Sequence, residues 1–122
     1  MCIRDSDIYF AGYQGEYQNY LNLFDIFALS SKTEQQPYSI LQAMNLQKPI
    51  ISTPAGDIFN MVCTDNQEFV GQDMFNPPYT QFQKLIHDAD LRHHLGQLNK
   101  QHQVKYYSLE QSLKQRQILF KI

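Results

Sequence analysis

A chain of 122 residues with a formal net charge of −2 is long enough for one domain with a core and too short for a large two-domain enzyme. Acidic and basic residues are mixed along its length, which excludes the electrostatic footprint of a nucleic-acid or anionic-membrane binder. A hydrophobic content of 43% with 13% aromatics excludes disorder, and no apolar run reaches the length of a bilayer span.

The first six residues, MCIRDS, show neither periodicity nor a helix cap. They resemble translated adapter sequence at the ends of metagenomic reading frames, so residues 1–6 are read as a non-native leader and 7–122 as the natural sequence. Cys2 and Cys63 lie far apart and no signal peptide is visible, which fits a reducing cytoplasmic location.

Short apolar runs then alternate with helical stretches. Ile8–Ala11, Ile26–Leu29 and Ile50–Ile51 read as buried strands. Between the first two, Glu16–Phe24 places Tyr17, Tyr20, Leu21 and Phe24 on one helical stripe; between the second and third, Ser39–Leu46 does the same with Ile40, Leu41 and Met44. Strand, helix, strand, helix, strand predicts an α/β fold, a Rossmann-like parallel sheet with flanking helices and right-handed crossovers.

Pro54–Asp57 reads as a turn, Ile58–Val62 as a short helix and Glu68–Val70 as one more short strand. After Pro77-Pro78 two helices carry Phe82, Leu85 and Ile86, then Leu91, Leu95 and Leu98, on their inner faces, with Asp88 as N-cap of the second. Ser108, with Gln111 three residues on, caps a last helix bearing Leu109, Leu113, Ile118 and Phe120, which needs a partner surface.

The chemistry concentrates between Thr33 and Thr53. Glu34 follows the run Ile26–Leu29 and the pair Ser30-Ser31, so it falls in the loop leaving a strand's C-terminal end. Pro37 and Ser39 open a helix and Gln42 lies one turn further in. In an open α/β sheet that crevice is where ligands bind, and a helix start there offers N–H groups and partial positive charge to an anion such as a diphosphate.

Ser30-Ser31, Glu34, Pro37, Ser39, Gln42-Ala43-Met44, Pro49 and the Thr53–Gly56 turn together resemble the C-terminal, donor-binding domain of the GT-B fold retaining glycosyltransferases of the family-four type (glycosyl transferases group 1). The resemblance covers Asp7 to Ile122 and implies part of an enzyme that moves a sugar from a nucleotide-diphosphate sugar to a glycan or lipid-linked acceptor. It implies no cofactor and no metal. The missing partner is an N-terminal acceptor domain, and membrane contact is at most peripheral through the parent.

Carried onto these residues, the resemblance makes Glu34 the candidate catalytic and donor-sugar residue. The backbone of Pro37, Tyr38 and Ser39 would meet the donor diphosphate, and Gln42 the ribose. Gly56 belongs to a loop that approaches the donor in the family, although the turn alone accounts for a glycine there. The family has a second glutamate where this chain has Gln42, and a glycine where it has Gln35. Ser39-x-x-Gln42 also reads as a capping box, so Gln42 has two roles open to it. For Glu34 the plainer alternative is a solvated loop carboxylate.

His87, His93, His94 and His102 read as solvated helix residues, since no cysteine accompanies them and Asp88 interrupts the helix that would align His87 with His94. No Gly-x-Ser-x-Gly elbow supports hydrolase chemistry. The second functional class left open is a non-catalytic α/β module that binds a nucleotide sugar or a protein.

Overall fold

The computed structural model describes residues 7–120, so the leader reading of residues 1–6 lies outside the described residues. The chain runs α1 (Tyr17–Leu23), β1 (Phe27–Leu29), α2 (Tyr38–Asn45), β2 (Ile50–Ser52), α3 (Ile58–Met61), a 3-10 helix (Thr64–Phe69), α4 (Tyr79–His87), α5 (Ala89–Tyr107) and α6 (Leu109–Phe120). The mixed α/β class expected from the alternating pattern is the one observed.

β1 and β2 pair in parallel, Phe27 opposite Ile50 and Leu29 opposite Ser52, with α2 as the crossover. Side chains alternate across this pleat. Phe27 and Ile50 face Ile40, Ala43 and Met44 of α2 and Ile58 and Met61 of α3, whereas Ile51 faces Phe69, Leu85 of α4 and Leu95 of α5. Helices thus cover both faces of β2, which is why it is a continuous apolar run rather than an alternating one.

Two buried asparagines close the outer side of β2. The Ile50 N–H donates to Asn66 Oδ1 at 3.0 Å and Asn66 Nδ2 donates to the Ile50 carbonyl at 2.8 Å, so one side-chain amide from the 3-10 helix satisfies both groups a neighbouring strand would have met. Asn99 of α5 donates to Asn66 Oδ1 and to the Lys48 carbonyl and accepts from the Cys63 N–H. Glu68–Val70, expected as a strand, is therefore mostly helical; only Val70 joins the sheet, by an isolated parallel bridge to Ser52.

Other expectations are corrected. Ile8–Ala11 forms no strand, and Tyr9 and Phe10 are exposed; no described strand offers its backbone a ladder, and an unpaired strand is not stable in water. Of the α1 stripe only Leu21 is buried, with Tyr17, Tyr20 and Phe24 exposed. Phe82 and Ile86 also stay exposed on α4, leaving Leu85 as its core residue. The caps at Asp88 and Ser108 do form, through the N–H groups of Leu91 at 2.9 Å and Gln111 at 3.3 Å. α6 buries no residue.

Candidate functional site

The loop that leaves β1, residues 30–37, and the loop that leaves β2, residues 53–57, lie side by side at the C-terminal end of the sheet. Three backbone and side-chain bonds stitch them together. The Thr53 N–H donates to the Leu29 carbonyl at 3.1 Å, Thr53 Oγ1 donates to the Ser31 carbonyl at 2.6 Å, and the Asp57 N–H donates to the Gln35 carbonyl at 2.8 Å. Gln36 Nε2 adds a contact of 3.1 Å to the Asp57 carboxylate, which also accepts from Asn60 Nδ2 at 2.7 Å.

Glu34 is half-buried inside this frame. Its Oε1 accepts the Ser31 hydroxyl proton at 2.7 Å. Behind its backbone stands Gly56, at φ +57°, so close that a Cβ there would lie 2.5 Å from the Gln35 carbonyl oxygen and 2.7 Å from the Glu34 carbonyl carbon. Gly56 thus serves both the left-handed turn and the close approach of the two loops.

α2 begins at once after this loop. Its N-cap is Pro37, extended at φ −66° and ψ 120°, and no side chain caps it. The expected Ser39–Gln42 capping box is absent for a geometric reason: Ser39 already lies inside the helix, past the position from which a hydroxyl can reach back to a free N–H. The first turn of a helix has no intrahelical acceptors for its N–H groups, so those of Tyr38 and Ser39, a few residues after Glu34, are without helical partners. A carboxylate for hydroxyls next to amides for an anion can bind a sugar phosphate ester.

Gln42 lies elsewhere on α2. Its Oε1 is buried and has no hydrogen-bond partner among the described residues, while the residue as a whole lines a cleft of about 420 Å³ with Tyr38, Gln18, Asn45, Tyr107 and Ser112. Every side chain named there is uncharged. Burial, with the nearby Asp57 charge, pushes the Tyr107 hydroxyl above its ordinary value and keeps it a neutral donor. Tyr38 and Gln42 are thus brought to one cleft, while Glu34 and Gly56 meet at the strand ends.

The family model described as glycosyl transferases group 1 matches residues 2–86, more than half of the chain and all of the loop-and-helix frame just described. The chain belongs to the glycosyl transferases group 1. Its sequence is thereby that of a transferase of sugars, and binding of a sugar donor comes with the family. No curated protein and no solved structure matches the chain. The group 1 match ends within α4, so α5 and α6 lie beyond it.

Ser31, Thr53 and Asp57 frame the Glu34 loop, and reading the sequence, which placed Ser31 and Thr53 in the motif, gave none of the three a role of its own. They sit 3, 19 and 23 positions from Glu34, and the parallel register of β1 and β2 is what brings Thr53 and Asp57 to the loop that holds Ser31 and Glu34. The histidines are dispersed: His94 meets Asp65 at 3.5 Å on the surface, His93 meets Gln97, and His102 lies against Tyr106. Among the described residues no group of three or more His, Cys, Asp or Glu could hold a metal ion, and no helix is long and apolar enough to cross a membrane.

Proposed function

We propose that these residues are the donor-binding C-terminal part of a GT-B, family-four type glycosyltransferase that transfers a sugar, with retention at the anomeric carbon, from a nucleotide-diphosphate sugar to a glycan or lipid-linked acceptor. The observation that carries this reading is the Glu34 carboxylate fixed by Ser31 beside the open start of α2. In it Glu34 accepts hydrogen bonds from donor-sugar hydroxyls, the backbone of Pro37, Tyr38 and Ser39 meets the diphosphate, and Gln42 meets the ribose from the cleft that it lines. Gly56 holds its loop against the Glu34 backbone.

Leaving-group departure demands stabilisation of negative charge on the diphosphate, by donors already in place. A helix start supplies part of that. In this reading the rest comes from basic residues and from an acceptor domain outside residues 7–122, so these residues bind donor and do not turn it over alone. No cofactor is required, and the parent works at the cytoplasmic side.

Calorimetric titration of the chain with UDP, UDP-glucose, GDP and GDP-mannose tests this. One nucleotide sugar should bind more tightly than its nucleotide, and Glu34→Gln should erase that difference; a Glu34→Gln chain that binds the sugar nucleotide as wild type does overturns the assignment. The neutral Gln42 favours a second reading, a non-catalytic module that binds a nucleotide sugar. The parent separates the two, because the module would bind donor without hydrolysing or transferring it.

A further inference from the structure

Resting on the donor-binding reading of Glu34, we infer that Ser31, itself anchored by Thr53, is the positioning residue that fixes which carboxylate oxygen Glu34 presents to the donor sugar. A glutamate on a loop has three rotatable side-chain bonds, and left free it would meet a ligand hydroxyl from many directions. Here the Ser31 hydroxyl donates to Oε1 at 2.7 Å, a charge-assisted bond, so Oε1 is engaged by the protein and in this reading Oε2 is the oxygen left for the ligand.

Ser31 could not do this from a floppy loop. Its carbonyl accepts the Thr53 hydroxyl at 2.6 Å, and the Thr53 N–H is in turn held by the Leu29 carbonyl at 3.1 Å, directly beyond the Leu29–Ser52 register pair. The carboxylate is therefore tied, through two side-chain hydroxyls, to the ends of both strands. The two anchors have separate partners: Thr53 fixes the backbone of residue 31, and Ser31 fixes the side chain of residue 34.

The geometry has a consequence for selectivity. With one acceptor site of Oε1 taken by Ser31, the sites that remain on the fixed carboxylate point in set directions, so Glu34 reads the direction from which the sugar hydroxyls approach. Removing the Ser31 hydroxyl frees the carboxylate to rotate and costs the sugar, but not the nucleotide, its preorganised partner.

The test compares UDP with UDP-glucose and GDP with GDP-mannose on the full chain, and takes the ratio of the two affinities as the sugar increment. Variants are Ser31→Ala, Ser31→Thr, Thr53→Val and Glu34→Gln, each checked for wild-type helicity and unfolding midpoint. The expected result is an increment that Glu34→Gln abolishes, that Ser31→Ala lowers by about tenfold and that Ser31→Thr restores, with affinity for the bare nucleotide unchanged throughout. Thr53→Val, nearly isosteric, should lower it by a smaller factor. A Ser31→Ala chain with a full increment, beside a Glu34→Gln chain without one, overturns this inference and leaves the donor reading standing. A wild-type chain that shows no increment with either pair overturns both.

Discussion

The α carbon of Gly56 packs directly against the peptide that joins Glu34 to Gln35: a methyl group at position 56 would come within 2.7 Å of the Glu34 carbonyl carbon. The backbone there is left-handed, at φ +57°, and the following N–H is bonded to the Gln35 carbonyl. Gly56→Ala therefore combines a conformational penalty with a clash against backbone that has no room to yield. We expect a loss of about 2–4 kcal/mol in stability, read by urea unfolding, and a weaker sugar increment because the Glu34 loop is the part that must move.

Asn66 and Asn99 form the second paired relationship, both fully buried and 2.8 Å apart. Truncating Asn66 leaves the Ile50 N–H and carbonyl without partners at the centre of the fold. Asn66→Ala should cost about 2–4 kcal/mol by urea unfolding. A double-mutant cycle with Asn99→Ala should show coupling on the order of 1 kcal/mol, since the two amides share a bond.

Gln47 predicts a change of the opposite sign. It holds a left-handed conformation at φ +58° in the turn between α2 and β2, and Gly96 of α5 presses on its carbonyl. Gln47→Gly relieves the backbone without touching the core and should raise stability by about 0.5–1 kcal/mol. Gly96→Ala should do the reverse, because its Cβ would lie 2.7 Å from the Gln47 carbonyl carbon. Unfolding curves of the two variants should move in opposite directions.

His102 gives the stability a pH dependence. Burial, and then the charge of Lys105, pushes its pKa below the ordinary value of 6.5. The unfolded chain then binds the proton at higher pH than the folded one, so stability is full above pH 6.5 and falls as pH drops from there through the lower folded value. Denaturant midpoints at about pH 7.5 and about pH 5.5 should differ, and His102→Gln should shrink the difference.

Much of this was legible in the residues. β1, β2, α2 and the caps at Asp88 and Ser108 follow from short apolar runs, a 3.6-residue period and side chains that bond locally. The placement of Glu34 after β1 follows from the same runs. What escaped was set by partners distant in the chain. Ile8–Ala11 has the composition of a strand but no ladder beside it, and Glu68–Val70 gave up most of its strand character because the Asn66 side chain takes the backbone groups of Ile50.

The capping box failed for a different reason. Pro37 starts α2 one turn position too early for Ser39 to cap it, and a regular Ser-x-x-Gln pattern cannot reveal that. With the cap gone, Gln42 is left with a buried, unpartnered carbonyl oxygen in a residue that lines a cleft. The residues that carry the family resemblance, Ser30 to Gly56, fall inside the glycosyl transferases group 1 match over residues 2–86, which ends short of the Ile122 to which the resemblance was extended.

The central claim, that the loop from Ser31 to Ser39 receives the sugar and diphosphate of a nucleotide sugar, is tested most directly by backbone amide NMR on the isotope-labelled chain. Titration with UDP-glucose and GDP-mannose should shift the amides of residues 30–42 and 53–57 with one of them, the Tyr38 and Ser39 amides among the largest. Shifts confined to other parts of the fold, or none at millimolar ligand, would contradict it.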